Sequence, residues 1–140
     1  MWFSPLLQGS ALSSAVVQLL RPTSDITAGA WTPSSGTDLF SMLDETPYDD
    51  ADYILASTST TSEVKLGVGF DPASSTGHII RYRAKGNGTL TVSLYQGTTL
   101  IATHVPTLTS GFQTFTFTLS STEADSITNY TDLRLRFVSS

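Results

Sequence analysis

The feature that most constrains this chain is a two-residue hydrophobic period, repeated in short runs along its second half. Val64, Leu66, Val68 and Phe70 fall on one side of the run 63–70. Ile80, Tyr82 and Ala84 do the same in 78–85, set against Arg81, Arg83 and Lys85. Leu90, Val92 and Leu94 alternate in 89–96, Phe115, Phe117 and Leu119 in 112–119, and Leu133, Leu135 and Phe137 in 133–138. Side chains alternate across a strand, so each run can cover a core with one face and meet water with the other. A helix would need a period near 3.6. Turn residues separate the runs, and Gly86-Asn87-Gly88 reads as a hairpin signal because Asn and Gly accept positive φ. The expected fold is all-β: a β-sandwich or jelly roll of about seven or eight antiparallel strands.

Shorter strands are expected over 39–43, 52–56 and 99–105, and one helical turn over 121–127, whose hydroxyls and acids suit a helix N-terminus. Pro, Gly, Ser and Asp crowd residues 21–36 and predict irregular backbone there. Residues 44–50 read as a loop.

Residues 1–20 break the alternation. They are apolar, with Ser and Ala between the large side chains. One reading is a first strand or short helix packed on the same core. The other is an extended or short-helical arm that docks on a neighbouring subunit, with Trp2, Phe3, Leu6 and Leu7 as contacts, since exposed aromatics need covering. The chain therefore divides into an N-terminal apolar arm or first element, 1–20, and a β-sandwich domain, 21–140. A secretory signal or membrane span reads poorly in 1–20, which lacks a basic start and is interrupted by Pro5, Gln8, Gly9 and Ser10.

Charged residues make up only 14% of the 140 residues, so hydroxyls must supply the wet surface; there are 20 Ser and 22 Thr. Threonine is β-branched and fits a half-exposed pleated face. The net charge of −5 argues against nucleic-acid binding, which needs a basic footprint. No cysteine is present, which excludes disulfides and thiolate metal sites.

No catalytic constellation stands out, and the chain is not expected to be an enzyme or to carry a cofactor. His78 and His104 are the only histidines, and no nucleophile elbow accompanies them. Six acids lie between Asp38 and Asp52: Asp38, Asp44, Glu45, Asp49, Asp50 and Asp52. Clustered in one loop, they do not supply the facing carboxylates of a glycosidase. They lack EF-hand spacing, and Pro47 and Tyr48 interrupt them, so a solvated acidic loop is expected ahead of a calcium site. Two basic stripes are more suggestive: Arg81 and Arg83 with Lys85, and Arg134 with Arg136. If their strands share a sheet, they form a cationic patch. Asp44, Glu45, Asp49 and Asp50 could meet it, within the subunit or across an interface. Trp31, Tyr48, Tyr53, Tyr95 and Tyr130 are the candidates for a carbohydrate-binding face, or else serve the core and its rim.

Three stretches carry a resemblance. They are Leu20-Arg21-Pro22-Thr23-Ser24-Asp25-Ile26 followed by Gly29-Ala30-Trp31-Thr32-Pro33-Ser34-Ser35-Gly36; Leu43-Asp44-Glu45 with Asp49-Asp50-Ala51-Asp52-Tyr53-Ile54; and Tyr130-Thr131-Asp132-Leu133-Arg134-Leu135-Arg136-Phe137. Together they resemble a module of tailed-bacteriophage structural proteins, over about residues 20–140. The resemblance implies a jelly-roll virion protein, most simply a head decoration or cement protein on the outer surface of the particle. Its partners would be the major capsid protein or other virion subunits and further copies of itself, as dimer or trimer, without nucleic acid or membrane. A carbohydrate-binding module and a neck, tail or fibre-attachment protein are the alternatives.

Overall fold

The computed structural model describes residues 2–4, 6–7 and 16–140, with side chains from residue 17 onward. The strands in chain order are β1 (Trp2–Ser4), β2 (Leu6–Leu7), β3 (Val16–Val17), β4 (Pro22–Thr27), β5 (Thr32–Pro33), β6 (Ile54–Leu55), β7 (Thr60–Leu66), β8 (Ile79–Ala84), β9 (Leu90–Gln96), β10 (Thr99–His104), β11 (Gln113–Thr118) and β12 (Leu133–Ser139). A 3-10 turn, Phe40–Met42, and one short helix, α1 (Ser121–Asp125), complete the inventory. The fold is all-β and antiparallel. A five-stranded sheet runs β10-β9-β12-β7-β4, and a three-stranded sheet runs β1-β8-β11. Two small ribbons, β2-β3 and β5-β6, lie outside them.

The alternation decides what each sheet buries. Ile80, Tyr82 and Ala84 of β8 join Val64 and Leu66 of β7, Leu90, Val92 and Leu94 of β9, and Leu133, Leu135 and Phe137 of β12 in one core. Phe115 and Phe117 of β11 pack against it from positions opposite Tyr82 and Ile80. Two hydrogen bonds cross between the sheets inside this apolar layer. Tyr82 Oη meets His104 Nδ1 at 2.6 Å, and His78 Nε2 meets Tyr130 Oη at 2.6 Å. His104 also lies flat on Phe117, with ring centroids 5.1 Å apart, while Tyr82 stacks on Phe115 at 5.5 Å.

Several local expectations are corrected. Residues 22–27 are a strand, not irregular backbone. Pro22 is tolerated because it opens an edge strand, where a missing N–H breaks no inner ladder. Residues 39–43 form a 3-10 turn instead of a strand, because the Asp25 carboxylate accepts the backbone N–H groups of Leu39 and Phe40, each at 2.7 Å. The run 63–70 leaves its ladder after Leu66. Gly67 N–H donates to Arg21 O and Gly69 N–H to Tyr130 O, which turns Val68 (77% exposed) and Phe70 (51%) out of the core. Gly86-Asn87-Gly88 closes no hairpin. It carries the chain from β8 in one sheet to β9 in the other. The tight hairpin is Gly97-Thr98 between β9 and β10, where Gly97 takes the positive φ of 57° that such a turn demands.

The helical turn forms as expected, closed by a reciprocal cap between Ser120 and Glu123. β1 shows that residues 2–4 pair with their own domain, Phe3 opposite Ile80. Leu6–Leu7 pair with Val16–Val17 in the ribbon β2-β3, and Leu20 is buried in the core, while residues 1, 5 and 8–15 lie outside the described residues.

Asp25 thus anchors the start of the segment that runs from residue 39 to 55. Asp25→Ala removes two charge-assisted bonds to backbone N–H groups and should lower unfolding stability by about 2 kcal/mol, read from the urea midpoint at unchanged slope.

Candidate functional site

The most developed concavity lies along one side of β8. β1 pairs with Ile79, Ile80 and Arg81 only. Past Arg81 that flank of β8 gains no second strand among the described residues, and a cavity of about 850 Å³ opens beside it. The opposite wall is the acidic segment, residues 43–55.

Local contacts hold that wall in place. Asp25 fixes its start, Arg21 Nη1 donates to Asp44 O at 3.1 Å, and Asp49 Oδ1 accepts the Ala51 N–H at 2.8 Å. Its far end is pinned by β5-β6, where Thr32 faces Leu55 and Pro33 faces Ile54, and by Ser34 N–H donating to Tyr53 O at 2.8 Å. Arg83 then bridges the walls. Its Nε and Nη2 donate to the two oxygens of Asp50 at 2.7 and 2.6 Å, and its guanidinium lies 4.1 Å over the Tyr48 ring. The Arg83 hydrogen bond holds the Asp50 carboxyl below the usual carboxylate range. Next to it, Lys85 Nζ sits 4.5 Å over the Phe112 ring, and Tyr53 packs against Phe112 with centroids 6.4 Å apart. Glu45 lines the same cavity. Burial pushes its carboxyl up, and neighbouring Asp44 and Asp52 push it further.

The cationic patch imagined for Arg81, Arg83, Arg134 and Arg136 does not exist as one surface, because β8 and β12 belong to different sheets. Arg81 and Arg83 line the cavity. Arg134 and Arg136 lie on the outer face of the five-stranded sheet and clasp Glu63 of β7. Their distances to its two oxygens are 3.2 and 2.7 Å. Glu63 is only 5% exposed, and Arg136 also covers the Tyr95 ring at 4.0 Å. Arg134 further reaches Asp132 at 3.2 Å. Of the acids proposed as contacts, Asp50 meets Arg83, whereas Asp44, Glu45 and Asp49 meet no arginine side chain in any described salt bridge. No three acids or histidines gather closely enough to hold a metal ion among the described residues. Sequence reasoning missed Glu63. Its signal was there, in a lone acid at a polar position of the alternation in 63–66. The side chains of Trp2, Phe3, Leu6 and Leu7 lie outside the described residues.

A second feature is an exposed apolar patch where the chain enters β4. Gln18 ties two segments together, its Nε2 donating to Phe70 O and its Oε1 accepting the Phe70 N–H at 2.9 Å. The joined segments expose Val17 (64%), Leu19 (42%), Val68 and Phe70.

No protein-family model matches the chain, and neither a curated protein nor a solved structure shows significant similarity to it.

Two predictions follow from these contacts. Glu63→Gln leaves two arginines facing a neutral amide, and should cost about 1–3 kcal/mol of stability, read by urea unfolding. The second concerns pH. Burial holds both His78 and His104 below the ordinary histidine value. The unfolded chain then takes up protons near pH 6.5 that the folded chain refuses, so acidification through about pH 7 to 5.5 favours unfolding. Glu45, shifted upward from the ordinary carboxyl value, acts in the opposite sense at more acidic pH. The melting temperature should fall across that window, and His104→Gln should flatten the slope.

Proposed function

We propose that this chain is a structural binding protein of a tailed-phage particle, a head decoration protein that docks on the assembled capsid through protein–protein contacts. Two things support the reading. The stretches at 20–36, 43–54 and 130–137 resemble the phage module, and the domain is a two-sheet all-β sandwich. The observation that carries it is the apolar patch of Val17, Leu19, Val68 and Phe70. Two neighbouring segments that expose large apolar side chains mark a macromolecular contact more often than a solvent face.

The electrostatics point the same way. Arg21, Lys65, Arg83, Arg134 and Arg136 all have partners inside the chain, which leaves apolar contact as the main attraction on offer. A modest patch suffices for a decoration protein, because a copy that touches several capsid subunits gains from effective concentration.

The measurement is the number of copies bound per undecorated capsid against free protein. Val68→Ser with Phe70→Ser removes exposed side chains, so the melting temperature of the free protein should stay within about 2 °C. Half-saturation should rise by roughly tenfold or more, equivalent to about 1.4 kcal/mol per docked copy. Unchanged occupancy would sink the patch as the docking surface. Failure of the wild-type protein to bind any capsid form would sink the decoration role itself.

A further inference from the structure

We propose that the cleft between β8 and residues 43–55 is a saccharide-binding site, separate from the apolar patch and independent of the capsid reading. Its volume, about 850 Å³, lies in the range of sites that enclose small ligands. What separates it from an unfilled groove is the kind of groups on its walls.

Sugar rings have one or two apolar C–H faces and a rim of hydroxyls that donate and accept. A complementary site needs flat apolar faces beside polar groups that are held still. Both are present. Tyr48 and Tyr53 are exposed on the cleft wall, and Phe112 lies beside Tyr53. The polar element between them is the Arg83–Asp50 pair, fixed in a two-bond fork and stacked on Tyr48. That fork is already oriented before a ligand arrives, so hydroxyls meet groups that lose little freedom on binding.

The cleft also contains an unpaired donor and an unpaired acceptor. Trp31 Nε1 and Glu45 Oε1 are buried and have no hydrogen-bond partner among the described residues. Both residues line this cavity. Buried polar atoms without partners are uncommon in folded proteins and call for an explanation. Both atoms are covered in the free protein, so a ligand hydroxyl can pair with them only once a wall side chain moves aside.

Competing ligand chemistries fit less well. Four acids, Glu45, Asp49, Asp50 and Asp52, and three cations, Arg81, Arg83 and Lys85, line the cavity, and Arg83 is paired with Asp50, so a phosphate or other anion meets no net positive charge. No metal-holding cluster occurs among the described residues, so recognition should proceed without calcium. A neutral oligosaccharide is the ligand class that uses the aromatic faces and the fork together.

The test uses the full chain against a glycan array and, in solution, against neutral oligosaccharides such as cello-, malto-, xylo- and chito-oligosaccharides. Heat of binding and tryptophan emission are followed with and without EDTA. Saturable binding that survives EDTA is expected, tightening with oligosaccharide length. Tyr48→Ala and Tyr53→Ala, both at exposed positions and checked for fold by circular dichroism, should each weaken binding by about tenfold or more. Val68→Ser with Phe70→Ser should leave saccharide affinity unchanged. Three outcomes overturn the proposal: silence across the array, binding that disappears in EDTA, or binding that both tyrosine variants leave intact. Protection of the Tyr82, Arg83 and Ala84 amides by capsids, with no saccharide bound in any assay, would reassign the cleft to an added peptide strand and overturn it too.

Discussion

Two tyrosine–histidine hydrogen bonds tie the smaller sheet to the larger one, Tyr82–His104 directly between β8 and β10 and His78–Tyr130 between the segments that lead into β8 and β12. Tyr82–His104 and His78–Tyr130 both start from β8 or its approach and end on the five-stranded sheet or its flank. Polar groups this deep are tolerated only when paired, since each left alone would cost on the order of 1–3 kcal/mol. Apolar faces can slide over one another. A hydroxyl and an imidazole nitrogen 2.6 Å apart cannot, so these bonds set the position of β8 over the larger sheet. That position leaves the second half of β8 alongside residues 43–55 and so creates the cleft. Burial raises the pKa of Tyr130 to about 12 and raises that of Tyr82 too, so both phenols stay protonated.

Charge is used inside the molecule rather than offered outside it. With few charged residues, the chain assigns most of its cations to specific tasks. Arg83 bridges the cleft, and Arg134 and Arg136 bind one nearly buried glutamate. The outer sheet face is thereby tied across β7 and β12 by ion pairs, much as its inner face is tied by leucines. What remains for partners is aromatic, apolar, hydroxyl and acidic surface, with the cations largely committed inside the chain.

The strands themselves were legible from the chain. β8, β9, β11 and β12 each show an unbroken alternation, and a period of two fixes which residues face inward. The assignment of strands to sheets was not legible, because alternation says nothing about which strand pairs with which. Gly86-Asn87-Gly88 has the chemistry of a hairpin yet serves a crossover, and the two arginine stripes lie in different sheets for the same reason. Pro22 masked β4, and Val68 and Phe70 mimicked core positions until backbone bonds from Gly67 and Gly69 turned the chain aside. The cleft was half legible. Tyr48, Tyr53 and Trp31 stood out as aromatics and Asp50 and Arg83 as charges. Their gathering draws on several long-range contacts, among them Asp25 capping a turn 14 residues away, which no local pattern announces.

β12 follows every other element in the chain, yet it lies at the centre of the five-stranded sheet, paired on both sides with β7 and β9. During synthesis the β9-β10 hairpin can form early, because its contacts are local. β4 and β7 can pair as well. Neither half can join the other until residues 133–139 emerge. The larger sheet is therefore complete only with its last strand, and without it β7 and β9 each present an edge of unpaired N–H and C=O groups.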